Sequence, residues 1–237
     1  NKILINEFKT HREKKIFKHL KIENKINSIS LINANFNFGK KNILKNFNYK
    51  FSKNKIYGIY GESGKGKTTL LMILSGTINL DSGRFKINNS AYNTKNRKIN
   101  WGHKIGFMSQ YNVLIDASLK KSIFLDNSVS QVQILAAKEY LKKFKLKKLI
   151  KYLNPKYDGV YSLNGMLSGG EKQRISIIRT ILLGGEILFF DEPTSSLDKE
   201  NEKIVLKEFK KLKKDKIIII SSHKKELKSY FDKIINL

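Results

Sequence analysis

The sequence predicts an α/β fold whose core is a parallel or mixed β-sheet. Three short runs are almost wholly apolar, the pattern of strands covered on both faces: Ile56–Tyr60, Ile187–Phe190 and Ile217–Ile220. Segments with helical periodicity lie between them, notably Val132–Leu146 and Lys199–Lys213. Strands that alternate with helices in this order favour a layered α/β domain.

A glycine-rich loop, Gly61–Thr68, follows the first of these strands and leads into a predicted helix, Thr69–Leu74. Glycines allow backbone N–H groups to turn toward phosphate oxygens, and the helix start adds its partial positive charge. Lys67 would reach the β- and γ-phosphates of a nucleotide, and Thr68 would offer its hydroxyl to Mg²⁺. A glycine-rich turn that matches by chance is the alternative, but the flanking strand and helix fit the phosphate motif. The predicted nucleotide-binding residues here are Gly61, Glu62, Ser63, Gly64, Lys65, Gly66, Lys67, Thr68 and Thr69.

Two adjacent carboxylates, Asp191 and Glu192, stand at the carboxyl end of the second apolar run. Beside a phosphate-binding loop, Asp191 would hold the Mg²⁺ shell, and Glu192 would polarise a water aimed at the γ-phosphorus. An ordinary acidic turn before Pro193 is the alternative for the pair taken alone. Together with Lys67, the pair indicates nucleotide hydrolysis.

A third motif is the string Leu167-Ser-Gly-Gly-Glu-Lys-Gln-Arg174, which precedes an apolar helix, Ile175–Leu183. Ser168 stands at a favourable N-cap position, and the N–H groups of Gly169 and Gly170 would form a second anion site at the helix start. A capped helix with a flexible entry is the alternative. The string resembles the signature of the ATP-binding-cassette (ABC) superfamily, in which glutamine is usual at the position of Glu171. The resemblance implies a head-to-tail dimer in which this turn closes on the ATP of the opposite subunit.

Further segments resemble the motifs of this family, in its usual order along the chain. Gln110 is similar to the Q-loop glutamine, which implies contact with Mg²⁺ and the attacking water. Ser195–Asp198 resembles the D-loop, so Asp198 is expected at the dimer interface. His223 resembles the switch histidine that contacts the γ-phosphate, although a lone histidine after a strand is more often a surface residue.

Phe38 occupies the place where cassette proteins carry an aromatic residue that stacks on adenine. A phenylalanine ring can stack on a purine as a tyrosine ring does. The alternative is that Phe36 and Phe38 are two residues on the same face of an edge strand, both buried in the core. The sequence leaves both interpretations open.

The chain resembles the exporter type of cassette. Residues 1–27 are similar to a linker that continues from a membrane domain, with helical periodicity over residues 12–20, and residues 28–237 to the ATPase domain. Within that domain, residues 28–60 predict two or three strands of an antiparallel β subdomain, and roughly residues 111–183 a helical lobe. The segment 116–124 resembles an exporter pattern, whereas Ser162 stands where many exporters have glutamate.

The amino-acid composition restricts the compartment and the partners expected for the protein. The 237 residues include no cysteine, which excludes disulfides and suits a reducing compartment. No apolar run approaches the roughly 20 residues that cross a bilayer. The formal net charge of +27 raises the possibility of nucleic-acid binding. However, the lysines are dispersed, as in Lys142–Lys148, predicted to share one helix, and a coding bias explains them better than a binding stripe does. Anionic membrane surfaces are a further possible partner.

The sequence therefore predicts an ATPase domain at the cytoplasmic face of the inner membrane. Its cofactors are ATP and Mg²⁺, and its partners are an exporter's transmembrane domain and a second copy of the chain, without nucleic acid. An importer or lipoprotein-release subunit, a soluble ATPase acting on nucleic acid, and a regulatory module without turnover are the alternatives.

Overall fold

The computed structural model describes residues 20–21, 25–92, 99–111, 114, 118–126, 128–157 and 163–237. Most of the predicted linker, including the helical pattern before residue 20, lies outside these residues, as do part of segment 116–124 and Ser162. In chain order the strands are β1 (Leu20–Lys21), β2 (Ser28–Phe38), β3 (Lys41–Ser52), β4 (Lys55–Tyr60), β5 (Ser82–Ile87), β6 (Ser90–Tyr92), β7 (Ile99–Asn100), β8 (Ile105–Met108), β9 (Ile187–Asp191), β10 (Ile217–Ser222) and β11 (Lys233–Asn236). The α-helices are α1 (Lys67–Leu74), α2 (Leu119–Phe124), α3 (Gln131–Lys143), α4 (Leu163–Met166), α5 (Gly169–Leu183) and α6 (Lys199–Leu212). The 3₁₀ segments are Lys147–Leu153, Pro155–Tyr157 and Lys225–Tyr230.

The core sheet is parallel and five-stranded, with the order β11-β4-β10-β9-β8. Its central strands are apolar throughout because both faces are covered. On β10, Ile218 and Ile220 belong to one hydrophobic cluster, together with residues of α5 and α6. Ile217 and Ile219 belong to a second cluster on the other face, together with residues of α1. The predicted α/β fold with a parallel core is confirmed.

A second, antiparallel sheet has the order β3-β2-β5-β6 and packs into the cluster that contains α1. This is the antiparallel β subdomain that the sequence predicts. The pairing of β2 with β3 shifts register between Phe36 and Asn37, with Ile43 as the extra residue on β3. Phe36 is buried, whereas Phe38, the last residue of β2, is 69% exposed. The alternative in which both rings are buried in the core is therefore wrong.

The helical lobe contains α2, α3 and α4 with two of the 3₁₀ segments, and α3 agrees closely with the predicted helix. The prediction that Lys142–Lys148 share one helix is wrong, because α3 ends at Lys143 and Lys145 adopts a left-handed φ of 57°. The burial of the two neighbouring side chains explains this turn. Phe144 and Leu146, on either side of Lys145, are both fully buried, and a continued helix would point them in different directions.

Glu186, just before β9, joins three parts of the chain at the end of the sheet opposite the nucleotide motifs. It accepts hydrogen bonds from the ammonium groups of Lys53 and Lys104 and from the backbone N–H of Ile26. Burial alone would raise the pKa of Glu186, but these hydrogen bonds outweigh it and lower the pKa. Ile26 is fully buried, so the described chain packs on the core slightly before residue 28. Among the described residues, no helix is both long and apolar enough to span a bilayer.

Candidate functional site

Four adjacent strands of the parallel sheet end at the same edge, and each delivers one of the predicted motifs there. Gly61 follows β4, Ser222 at the end of β10 precedes His223, and Asp191 ends β9. Gln110 follows β8 by two residues. Because parallel strands present their carboxyl ends together, residues far apart in sequence form one site.

The loop between β4 and α1 turns around the ammonium group of Lys67. This group donates hydrogen bonds to the carbonyl oxygens of Gly61, at 2.8 Å, and Glu62, at 3.0 Å. Gly66 at the start of α1 has a φ of 97°, and a Cβ there would lie 2.4 Å from Cγ2 of Ile43. The loop therefore depends on glycine at position 66 for both backbone conformation and space.

Asp191 is nearly fully buried and is held by two hydroxyl groups. Thr68 Oγ1 donates to one carboxylate oxygen at 2.6 Å, and Ser221 Oγ donates to the other at 2.5 Å. These contacts join the phosphate loop, β9 and β10. They place a hydroxyl and a carboxylate oxygen side by side, a donor set that suits a hard divalent cation.

Glu192 lies between Lys67 and His223. Its Oε1 is 3.1 Å from Nδ1 of His223 and 3.5 Å from Nζ of Lys67. Its backbone has a left-handed φ of 48°, and its N–H donates to Ser221 Oγ at 2.9 Å. A non-glycine residue held in this conformation costs roughly 1–3 kcal/mol and is common at functional sites.

Two adjoining cavities flank the phosphate loop, with volumes of about 240 and 400 Å³. The first is lined by Phe38, Lys41, Ile43, Ser63, Gly64, Gly66, Lys67, Thr68, Thr69, Gln110 and Glu192. The second is lined by Tyr60, Gly61, Glu62, Ser63, Gln110, Glu192 and His223. The structure thus brings together most of the residues that the sequence predicts for ATP. Lys65 is exposed in the loop and lines neither cavity.

The predicted signature turn lies apart from these cavities, since Ser168, Gly169, Gly170 and Glu171 line neither of them. Ser168 caps α5: its hydroxyl accepts from the N–H of Glu171, and the Glu171 carboxylate accepts from the N–H of Ser168. Lys148 binds the same carboxylate at 2.6 Å. Burial would raise the pKa of Glu171, but the hydrogen bonds from Lys148 and Ser168 lower it.

The signature turn packs against the segment that precedes α6. A Cβ on Gly170 would lie 2.9 Å from the carbonyl oxygen of Ser196, and one on Gly169 would lie 4.0 Å from Ser196 Cβ. Asp198 caps α6 by accepting a hydrogen bond from the N–H of Asn201 at 2.8 Å. Hydrogen bonds from the Asn201 backbone and side chain lower the pKa of Asp198.

Sequence reasoning missed two polar residues of this region. Ser221 is fully buried and bonds both Asp191 and the backbone of Glu192. Gln173 is also fully buried, on the face of α5 that carries Ile177. A polar side chain four residues from a core isoleucine on a helix was the available signal.

A family model described as ABC transporter matches residues 44–195 of the chain. The chain belongs to the ABC transporter family. The family is one of ATPases, and this ABC protein carries its ATP-binding domain. The parallel sheet, antiparallel sheet and helical lobe described above are the fold expected of that domain.

Two relatives illustrate the range of the family that this ABC domain resembles. It is 32% identical over 218 residues to a probable ABC transporter ATP-binding/permease protein of Haemophilus influenzae, with 90% of the chain and 38% of the relative covered. It is 34% identical over 223 residues to the phosphonates import ATP-binding protein PhnC of Fusobacterium nucleatum, with 85% of each covered. The chain therefore spans less than half of the first relative.

Among solved structures, a bacterial Atm1-family ABC exporter with ATP bound is similar to this ABC domain, with a TM-score of 0.80. The match covers 99% of the chain and 41% of the exporter chain, at 22% sequence identity. At this identity the likeness supports the fold.

Proposed function

We propose that this ABC domain hydrolyses ATP at the sheet edge and thereby powers export through an associated transmembrane domain. The observation that carries the proposal is the position of Glu192, whose carboxylate lies between Lys67 and His223 where the two cavities adjoin. A carboxylate beside a phosphate loop can orient a water for attack on a γ-phosphate.

The chemistry follows from the charges of the site. Backbone N–H groups of the loop and the ammonium group of Lys67 bind the phosphates of ATP. Glu192 orients the attacking water and accepts its proton. His223 contacts both the γ-phosphate and the Glu192 carboxylate and so fixes their relative positions. The water oxygen bonds to the γ-phosphorus as the bond to the bridging oxygen of ADP breaks. Lys67 stabilises the charge that develops on the transferring group.

Mg²⁺ fits the donor set that Thr68 and Asp191 present. Both supply oxygen, and Mg²⁺ is usually held by one or two protein ligands together with phosphate oxygens and water. Gln110, which lines both cavities, is proposed as a further contact. The ion supplies neutralisation of charge on the β- and γ-phosphates. Phe38, exposed and lining one cavity, is proposed to stack on the adenine.

The site is proposed to be completed by a second copy of the chain in a head-to-tail dimer. Support comes from the cavities, because no residue of the signature turn lines them although that turn presents N–H groups at the start of α5. Ser168, Gly169 and Gly170 would bind the γ-phosphate held by the partner, with Glu171 capping the turn. Asp198, beside the turn, would lie at the dimer interface.

We place the domain at the cytoplasmic face of a membrane, bound to a transmembrane domain of the same or a separate chain, without nucleic acid. The exporter assignment rests on the resemblance of segment 116–124 and on the match to an ATP-binding/permease protein. An importer subunit is the second candidate, favoured by the match to 85% of PhnC. Coding sequence for membrane-spanning segments upstream of Asn1 would support the fused exporter.

The Glu192→Gln variant tests the hydrolytic role. Replacing the carboxylate should leave ATP binding intact and lower turnover by about 100-fold or more, because the amide accepts no proton from water. Phosphate release and nucleotide affinity are measured on the purified chain. Glu139→Gln, which alters an exposed ion pair on the helical lobe, is the matched control and should keep wild-type turnover. Full turnover in Glu192→Gln would remove Glu192 from the role.

A further inference from the structure

The Gln173 side chain joins α5, the signature helix, to residues 192–196, the catalytic loop. Its Nε2 donates to the carbonyl oxygen of Glu192 at 3.1 Å and to Ser195 Oγ at 2.9 Å. Its Oε1 accepts from the N–H of Ser196 at 2.9 Å. All the polar atoms of this fully buried amide are thus committed to the segment that carries Glu192.

The backbone of Glu192 needs such support. Its left-handed φ of 48° persists only if neighbouring groups hold it. On one side, Ser221 Oγ accepts a hydrogen bond from the N–H of Glu192. On the other, the carbonyl oxygen of Glu192 accepts hydrogen bonds from Gln173 and from the N–H of Ser195. Gln173 is the contribution that comes from the signature helix.

The same helix begins at the signature turn. Gln173 lies five residues after Ser168, which is about 7.5 Å along the axis of a rigid α-helix. At the turn itself, Gly170 packs on Ser196, whose N–H bonds Gln173. A displacement of the turn would therefore shift both the helix and the loop that aims the Glu192 carboxylate.

We propose that Gln173 is a positioning residue that couples the signature turn of a chain to the Glu192 carboxylate of the same chain. The inference rests on the proposed head-to-tail dimer. In that dimer the Ser168 turn binds the partner's ATP while Glu192 serves the chain's own ATP. Gln173 then transmits occupancy of one nucleotide site to the alignment of the catalytic group in the other.

The Gln173→Leu variant tests the coupling, because leucine fills similar space but makes none of the three hydrogen bonds. We expect kcat to fall by about 10-fold or more, since small misplacements of catalytic groups are costly. The apparent affinity for ATP should stay within about 3-fold, and the Hill coefficient for ATP should fall toward one. Thr180→Val is the matched control: Thr180 is buried on the same helix, and its hydroxyl bonds only Ser176 of that helix. It should keep the wild-type kcat and Hill coefficient.

A second variant, Ser195→Ala, keeps the coupling testable if Gln173→Leu does not fold. Ser195 is exposed, and its loss removes one Gln173 contact, so kcat and the Hill coefficient should fall by less. Wild-type values in both variants, or a change no larger than in Thr180→Val, would overturn the coupling. So would a Hill coefficient of one in a wild-type dimer that hydrolyses ATP. If instead the wild type showed no Glu192-dependent turnover or no dimer, the proposed function itself would fail.

Discussion

Gly66 shows how the nucleotide site depends on single atoms. Its φ of 97° lies in the left-handed region, and its missing side chain leaves room for Ile43 of β3. The contact places the antiparallel sheet directly against the phosphate loop. The loop can keep its shape only while residue 66 adopts this φ and carries no Cβ.

Gly66→Ala should therefore abolish nucleotide binding by distorting the loop. A Cβ would meet Ile43 at 2.4 Å in addition to the strain of its φ. Gly102→Ala is the control, since Gly102 has a φ of 56° and a Cβ added there would meet no atom within 4 Å. Each carries a backbone cost of roughly 1–2 kcal/mol, but only Gly66→Ala should lose ATP affinity by calorimetric titration. Equal affinities in the two variants would contradict this account of the loop.

Two helices of the protein begin with the same capping box, and they offer an internal comparison. Ser130 and Gln133 cap α3, and Ser168 and Glu171 cap α5. In both, the serine hydroxyl accepts from a backbone N–H and the side chain three residues on accepts from the serine N–H. Only the second box stands at the proposed dimer contact.

Ser130→Ala and Ser168→Ala should each lose about 1 kcal/mol of stability, because each removes a helix cap. Thermal denaturation measures that common cost. We expect turnover to fall only in Ser168→Ala, because its hydroxyl also binds the partner's γ-phosphate in the proposed dimer. If the two variants kept equal turnover, Ser168 would have a capping role alone.

Much of the element order could be predicted because local chemistry fixes it. The apolar runs of β4, β9 and β10 reveal strands buried on both faces, and Ser168 before an apolar helix reveals the start of α5. Phe38 could not be decided from sequence, because its exposure depends on where β2 ends relative to the core. Lys145 was missed because its left-handed turn serves the burial of its neighbours, which is a tertiary effect.

The site was predictable to the extent that its residues stand at strand ends. Asp191 and Glu192 stand at the end of β9, and parallel strands bring such ends together. The two residues that support the site, Ser221 and Gln173, could not be predicted in this way. Ser221 and Gln173 act through hydrogen bonds to backbone atoms of distant segments, and no local sequence signal specifies such partners.

At the scale of the whole domain, the 237 residues carry a net charge of +27, which bears on dimer assembly. Two such chains repel one another, although salt screens charges beyond about 8 Å at physiological ionic strength. ATP held between the phosphate loop of one chain and the signature turn of the other would place negative charge at the contact. The proposed dimer should therefore depend on bound ATP and separate after hydrolysis.

The central claim is that one chain completes the ATP site of another, and cross-linking tests it most directly. The sequence has no cysteine, so Ser63→Cys and Ser168→Cys each introduce a single thiol, at exposed positions of the phosphate loop and the signature turn. Both are made with Glu192→Gln, so that ATP is retained, and the two chains are mixed with a short thiol cross-linker.

We expect a cross-linked pair in the mixture with ATP, and little without ATP or with either chain alone. Mass spectrometry identifies the pair by its joined peptides. Failure to form it, with ATP bound and both thiols reactive, would contradict the claim that Ser168 acts on the partner's nucleotide.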